Sequence, residues 1–487
     1  MVRRVVHKNF VLLIVAIAQF MVVLDVSIVN VALPSIFRSL HFSSQDSLQW
    51  VVTAYTLAFG GFLLLGGRAA DLFGRKRLFV GAVLLFALAS LVTGLAQNDT
   101  MIIVTRAVQG LFAAFMSPAA LSIVLTTFRQ GAERAKALSV WGGVAAAGAA
   151  VGVLLGGILT QYLDWRWNFF INLPVGIAVA FAAWAYVPES KADLDHNKLD
   201  APGAILSTAG LMLLVYAFTK GPTYGWGDHR TIELLVGAIA LIVAFLVNEK
   251  VSKHPLMPLS IFRIGNVAAA NAVQMPVVAS MFSMFFFITL YLQTILGYSP
   301  VSSGLSFLPI TFIIGGVSVA MQHIVTKIGY RKPLMVAPFL LVFALWFLAH
   351  IPVQGHYWTN VFPGLAVMAL GMGVMFIGIT IAATNGVPHN ESGLASGLLN
   401  TAQQVGGSLG LAILSGISAS GATHYIKTHM AQAGQPMTAV QAEVAGFHKA
   451  LYVGVFFALA AAIISILFIR EKRGEKIEID PASMAGA

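Results

Sequence analysis

Apolar runs of roughly 18 to 24 residues recur from one end of this chain to the other, the length a helix needs to cross the hydrocarbon core of a bilayer. They fall near 11–33, 48–67, 78–96, 101–126, 136–160, 168–187, 200–219, 231–248, 266–294, 302–325, 334–351, 361–385, 394–420 and 448–469, fourteen in all. Lipid offers no partner to backbone polar groups, so each run must close its own hydrogen bonds as a helix. The expected fold class is an all-α membrane protein. Composition agrees: 58% of the 487 residues are hydrophobic and only 10% charged, against about 25% charged in a soluble domain.

Several function classes drop out at once. No stretch of domain size remains between the runs, which argues against a signalling receptor. Cysteine is absent, so neither a disulfide framework nor a thiolate metal site is available. No Walker loop, metal-ligand cluster or nucleophile constellation is present, so no enzyme activity, no metal and no cofactor are expected. The formal charge of +10 does not imply nucleic acid, because the basic residues sit in short connections between spans.

Those basic residues set the topology instead. Of 29 Lys and Arg, all but Arg38, Arg106, Arg166, Lys220, Arg230, Lys427 and Lys449 share the side of the N-terminus. Positive residues accumulate on the cytoplasmic side, so both termini are expected there. The start, "MVRRVVHKNF", is read as leading into an uncleaved first span, because the run that follows is too long for a signal peptide.

Hydrophilic stretches at 188–200 and 248–266 bracket two spans and divide the fourteen into six, two and six. The expected organisation is an N-terminal six-helix bundle (1–187), a linker with two additional helices (188–265), a C-terminal six-helix bundle (266–470) and a cytoplasmic tail (471–487). The connection "DLFGRKRL" (71–78) is echoed by "TKIGYRKPL" (326–334) at the equivalent place in the second bundle. Internal repeats of this kind build many transporters, with the binding site between them near the midplane.

The first span, "FVLLIVAIAQFMVVLDVSIVNVALP" (10–34), carries Asp25 in its interior. A carboxylate there costs several kcal/mol to bury unless it is protonated, paired or facing water. Arg106 lies within the fourth span. By helix rise Asp25 is about 12 Å, and Arg106 about 8 Å, from the outer ends of their spans, so their depths are comparable. An intramembrane ionisable residue marks a functional site by default; a static Asp–Arg pair that fixes packing is the alternative.

Particular motifs sharpen this. The loop "GGRAADLFGRKR" (66–77) resembles the signature loop of the major facilitator superfamily through Gly67, Ala70, Asp71, Gly74, Arg75 and Lys76. "LDVSIVNVALP" (24–34), "RAVQGLFAA" (106–114), "DWRWNFFINLPVG" (164–176), "YLQTILGYSPVSSGLSFLP" (291–309) and "ASGLLNTAQQVGGSLGLAI" (395–413) resemble the fourteen-span drug:proton antiporters of that superfamily. The glycine helix "GAAVGVLLGG" (148–157) keeps Gly148, Gly152, Gly156 and Gly157 of the antiporter motif, with Val153 where proline is usual. Small residues four apart let helices approach closely.

The resemblance implies a major facilitator fold in which spans 1 and 4 line one cavity, and proton-coupled export of lipophilic, cationic or neutral drugs by alternating access. Asp25 would bind the proton and Arg106 tune it. Gly67, Asp71, Gly74, Arg75 and Lys76 would form the cytoplasmic gate. A dedicated exporter of one antibiotic or metabolite is the alternative. Candidate cavity residues are Gln19, Asn30, Tyr55, Gln109, Phe115, Met116, Asn172, Gln274, Met275, Tyr291, Phe376, Asn400 and Gln403, chosen for amide, aromatic or thioether chemistry. Expected partners are the lipid bilayer, small lipophilic drugs or dyes, and protons, with a monomer favoured. The outer segment 421–447 is left open as a lid, a partner contact or a hairpin.

Overall fold

The computed structural model describes residues 8–42, 45–128, 132–191, 200–252, 255–387, 392–429 and 436–471. These residues form α1 (Lys8–Ser39), α2 (Gln45–Leu48), α3 (Trp50–Phe73), α4 (Arg75–Gly94), α5 (Asp99–Thr127), α6 (Ala132–Tyr162), α7 (Trp167–Phe170), α8 (Asn172–Tyr186), α9 (Ala201–Tyr224), α10 (His229–Val251), α11 (Val267–Leu290), α12 (Pro300–Ile328), α13 (Arg331–Leu348), α14 (Phe362–Thr384), α15 (Ser392–Thr428) and α16 (Pro436–Phe468). Among the described residues, 13 spans are long and apolar enough to cross a membrane, α7 and α8 counting as one broken span. The 31-residue α6 is the further helix of that length. The chain is a polytopic all-α membrane protein.

Two bundles carry the molecule. In the first, α3 packs on α5, α1 on α6 and α4 on α8; in the second, α11 packs on α15 and α16, and α13 on α14. Where the chain leaves the face that holds its N-terminus, the first bundle has its own apolar core, built around Met21, Tyr55, Phe79, Phe86, Met116 and Trp141. At the opposite face the cores merge. Val29, Leu33 and Ile36 of α1 share one cluster with Met284, Phe286 and Phe287 of α11. Gln293 Nε2 donates to the Val31 carbonyl at 2.9 Å, and the Val301 N–H to Gln161 Oε1 at 3.2 Å. The two bundles are thus closed against each other at the face opposite the N-terminus.

Two seams join the bundles. Along α3 and α15, the Thr56 and Ser408 hydroxyls lie 2.6 Å apart. A Cβ at Gly60 would fall 2.6 Å from Gln404 Cβ. Along α6 and α12 the contact is reciprocal: Gly157 abuts the Pro300 carbonyl, and Gly304 abuts the Val153 carbonyl, with 2.7 and 2.6 Å to a built Cβ. The residue standing where the motif has proline therefore places its backbone against the second bundle. The linker hairpin covers the first seam, with Leu57, Val215 and Ala412 in one cluster and Gln49 Nε2 donating to Thr219 Oγ1 at 2.8 Å.

The structure corrects some boundaries. The signature segment 66–77 is not a loop: α3 runs to Phe73, α4 starts at Arg75, and Gly74 alone makes the turn with φ 105°. That φ is open to glycine and strained for other residues. Gly329, with φ 79°, opens the two-residue turn between α12 and α13. The described parts of the outer segment 421–447 are helical, the end of α15 and the start of α16. Tyr425 Oη donates to Gln441 Oε1 across it at 3.2 Å, so the described part is a helical hairpin. Residues 430–435 of that segment, and 472–487 of the tail, lie outside the described residues.

Candidate functional site

The site is built around Asp25, which is fully buried. Helix α1 sets its depth and α5 supplies its nearest partners. Arg106 and Gln109 are three apart on α5 and so share a face. Arg106 Nη1 donates to Asp25 Oδ2 at 2.5 Å and to Gln109 Oε1 at 2.8 Å. Gln109 Nε2 donates to Asp25 Oδ1 at 2.7 Å. A third donor comes from the broken span, where the chain interrupts its helix at Ile171 and restarts at Asn172. Asn172 Nδ2 donates to Asp25 Oδ1 at 3.2 Å and to Ser90 Oγ at 3.0 Å, and Ser90 Oγ donates to the Phe169 carbonyl at 2.9 Å.

Arg106 is held from every side. Its Nε donates to the Val51 carbonyl at 3.0 Å, and its Cζ sits 4.2 Å from the centre of the Tyr55 ring and 5.8 Å from that of Phe169. A guanidinium over an aromatic face is attracted to the ring's negative quadrupole, more strongly where water is absent. The geometry suits an ionised carboxylate, which accepts three hydrogen bonds and offers no proton. The Tyr55 hydroxyl is buried beside this cluster without a hydrogen-bond partner.

The glycine helix shapes the back of the site. A Cβ at Gly148 would fall 3.3 Å from Val23 Cβ, one at Gly152 would fall 2.8 Å from Ser27 Cβ, and one at Gly156 would fall 2.8 Å from the Ile28 carbonyl. Three glycines of one face thus press α6 onto the stretch of α1 that carries Asp25, and the fourth, Gly157, reaches the second bundle.

Of the sequence-derived cavity residues, Tyr55, Gln109 and Asn172 meet at Asp25. Gln19 accepts from Ser117 Oγ at 3.1 Å. Asn30 and Asn400 donate back to their own helices, to the Val26 and Ser396 carbonyls at 3.2 and 3.3 Å. Met116 lies in the core of the first bundle with Phe115 packed against it. Gln274 is buried on α11, and Met275 is pressed by Gly406, with 2.6 Å from a built Cβ to Met275 Cα. Tyr291 is in the core of the second bundle, its hydroxyl donating to the Pro352 carbonyl at 2.6 Å, and Phe376 packs at that core's edge. Gln403 is half-buried.

At the face of the N-terminus, the Asp71 side chain lies outside the described residues, and Gly67 meets Pro118 Cβ at 3.7 Å from a built Cβ. A residue that the sequence reading passed over takes the central place. Glu189, just past α8, accepts the Lys76 N–H at 3.2 Å and pairs with Arg77 Nε at 3.6 Å, while the Arg75 N–H donates to the Ser190 carbonyl at 3.0 Å. The second bundle repeats this. Glu471, just past α16, accepts the Tyr330 and Arg331 N–H groups at 3.2 and 3.3 Å. An acid on a helix N-terminus meets the positive end of its dipole and its unsatisfied N–H groups. The available signal was positional: each bundle's last span is followed by a glutamate.

The ion pair is enclosed within the first bundle, by α1, α3, α5 and the broken span, and the two-bundle all-α fold around it is that of a membrane transporter. The chain belongs to the Major Facilitator Superfamily, whose family model matches residues 15–411. It is 38% identical over 486 residues to the puromycin resistance protein pur8 of Streptomyces alboniger, covering 98% of this chain and 94% of that one. It is 36% identical to the cephamycin export protein CmcT of Amycolatopsis lactamdurans, covering 92% of this chain and 90% of that protein. It is 34% identical to the multidrug resistance protein Stp of Mycobacterium tuberculosis, covering 85% and 76%. Among solved structures, a bacterial homologue of the human lysosomal transporter Spinster, in its inward-facing unoccupied conformation, has the same fold. Its TM-score is 0.69 at 16% identity, covering 95% of this chain and 97% of that one.

Proposed function

We propose that this protein is a proton-coupled antiporter that exports lipophilic, cationic or neutral drugs across a bacterial cytoplasmic membrane, with both termini in the cytoplasm. The observation that carries the reading is the buried Asp25, held by Arg106, Gln109 and Asn172 and sealed in a structure closed at the face opposite the N-terminus. The carboxylate is fully hydrogen-bonded without a proton, the arrangement suited to the state that has released its proton inward. Opening toward the outside exposes Asp25 to the higher proton concentration. Protonation removes its charge, frees Arg106, and favours the return.

A cation competing for the same carboxylate gives exchange, because one site cannot hold both. With Asp25 the single acid among the described residues of this site, monovalent lipophilic cations and neutral compounds suit it better than dications. The relatives named for puromycin, cephamycin, multidrug and lincomycin resistance or export support drug efflux. The names for single antibiotics equally support a dedicated exporter. A panel of candidate compounds tested for pH-gradient-driven counterflow in proteoliposomes separates the two: broad inhibition of dye movement supports the multidrug reading, and transport of one compound the dedicated one. Absence of any flux driven by a pH gradient contradicts both.

A further inference from the structure

A pair of buried acids, Asp200 and Glu249, stands at the foot of the linker hairpin, far from Asp25 in sequence. Asp200 caps the start of α9: its Oδ1 accepts the Gly203 N–H at 3.0 Å, and its Oδ2 accepts from Asn248 Nδ2 at 2.7 Å. Glu249, near the end of α10 and 3% exposed, accepts the Met257 N–H on Oε2 at 2.7 Å. Its other oxygen, Oε1, is buried with no hydrogen-bond partner. The two carboxyls meet over Gly203, where a built Cβ would stand 2.7 Å from Asp200 Oδ2 and 2.9 Å from Glu249 Oε1. Lys250 and Arg263, the other charged residues described on α10's last turn and on the 3-10 turn after it, are both exposed. Among the described residues no ion pair includes Asp200 or Glu249.

Three of the four carboxyl oxygens already have donors, and the fourth faces an acceptor. Two ionised carboxylates enclosed together repel and lack solvation, so such a pair retains a proton. We propose that Asp200 and Glu249 are a second proton-binding site: one proton sits on Glu249 Oε1 and is donated to Asp200 Oδ2. The donors that the described residues bring to the pair are N–H groups, which suit carboxyl oxygens. The same cluster ties the start of α9, the end of α10 and, through Met257, the chain leading into the second bundle. Its proton therefore fastens the linker hairpin, and losing it sets two like charges across Gly203.

The test uses the full chain in lipid nanodiscs with Asp25→Asn as the background, so that it is independent of the transport reading. Unfolding is followed as pH rises from mildly acidic to mildly alkaline. A native state that holds a proton the unfolded chain releases loses stability as pH rises. For one proton the folding constant falls about tenfold per pH unit until the pair has titrated. That component is expected in the background protein and absent after Glu249→Gln or Asp200→Asn. Infrared spectra are expected to show a protonated carboxyl at neutral pH that Glu249→Gln removes. An unchanged pH slope in both variants overturns the proposal, as does stabilisation by added calcium or magnesium at fixed pH. Should neither variant fold, the spectrum of the background protein decides: no protonated carboxyl at neutral pH overturns the site, and its presence there supports it.

Discussion

Gly152 of α6 lies against Ser27 of α1, two residues from Asp25, so closely that a Cβ would fall 2.8 Å from Ser27 Cβ and 3.1 Å from the Leu24 carbonyl. Backbone cannot yield to that intrusion as a flexible side chain can. Gly152→Val is therefore expected to displace the turn that holds Asp25 and to reduce transport at least tenfold. Gly81, with nothing within 4 Å of a built Cβ, is the control, and Gly81→Ala should transport as the wild type does. Transport per folded molecule, with folding checked by gel-filtration profile, makes the comparison. Wild-type flux from Gly152→Val contradicts the packing role.

The Thr56–Ser408 contact spans the two bundles, and the chain has no cysteine of its own. Thr56→Cys with Ser408→Cys is expected to form a disulfide under mild oxidation, to stop transport, and to regain it on reduction. A cross-linked protein that transports at full rate would show that α3 and α15 keep this contact throughout the cycle.

Glu189 and Glu471 occupy equivalent places on the N-termini of α4 and α13. Replacing either by Gln keeps a hydrogen-bond acceptor and removes the charge that meets the helix dipole, typically worth about 0.3–1 kcal/mol. Each single variant is expected to shift the thermal midpoint slightly downward, and the double variant by about the sum, because the two sites share no partner. Strong non-additivity would mean that the two caps act on one shared element.

Tyr55 presents its ring to Arg106 while its buried hydroxyl has no partner. Tyr55→Phe keeps the ring, removes a buried hydroxyl that has no partner, and is expected to leave stability unchanged or to raise it. Tyr55→Ala removes the ring and leaves a cavity, expected to cost about 3–5 kcal/mol. Denaturation in detergent reads both. A large loss in Tyr55→Phe means that the hydroxyl has a partner in the working protein.

Much of this was legible from residues alone because bilayers are unforgiving. A run of apolar residues declares a span, and an Asp or Arg inside one declares a site, since each is costly there without a partner. The neighbours of Asp25 were less legible. Gln109 follows from its spacing to Arg106, but Asn172 depends on a helix break that brings the broken span to α1. Asn30 and Asn400 have the same chemistry and bond only to their own helices. An amide in an apolar run does not declare which way it faces. Tyr291 was chosen as an aromatic that fits a cavity, yet a buried aromatic packs a core equally well, and its hydroxyl is taken by Pro352. Glu189 lay outside the signature motif, and only the return of the chain over Gly74 joins the two.

The most direct measurement is flux through Asp25→Asn in proteoliposomes, with an imposed pH gradient and then without one. Loss of uphill movement is predicted, with downhill exchange of substrate for substrate retained, because the amide keeps hydrogen-bonding capacity but takes up no proton. Uphill extrusion at the wild-type rate from the Asp25→Asn variant, verified as folded, contradicts the assignment of coupling to this buried carboxylate.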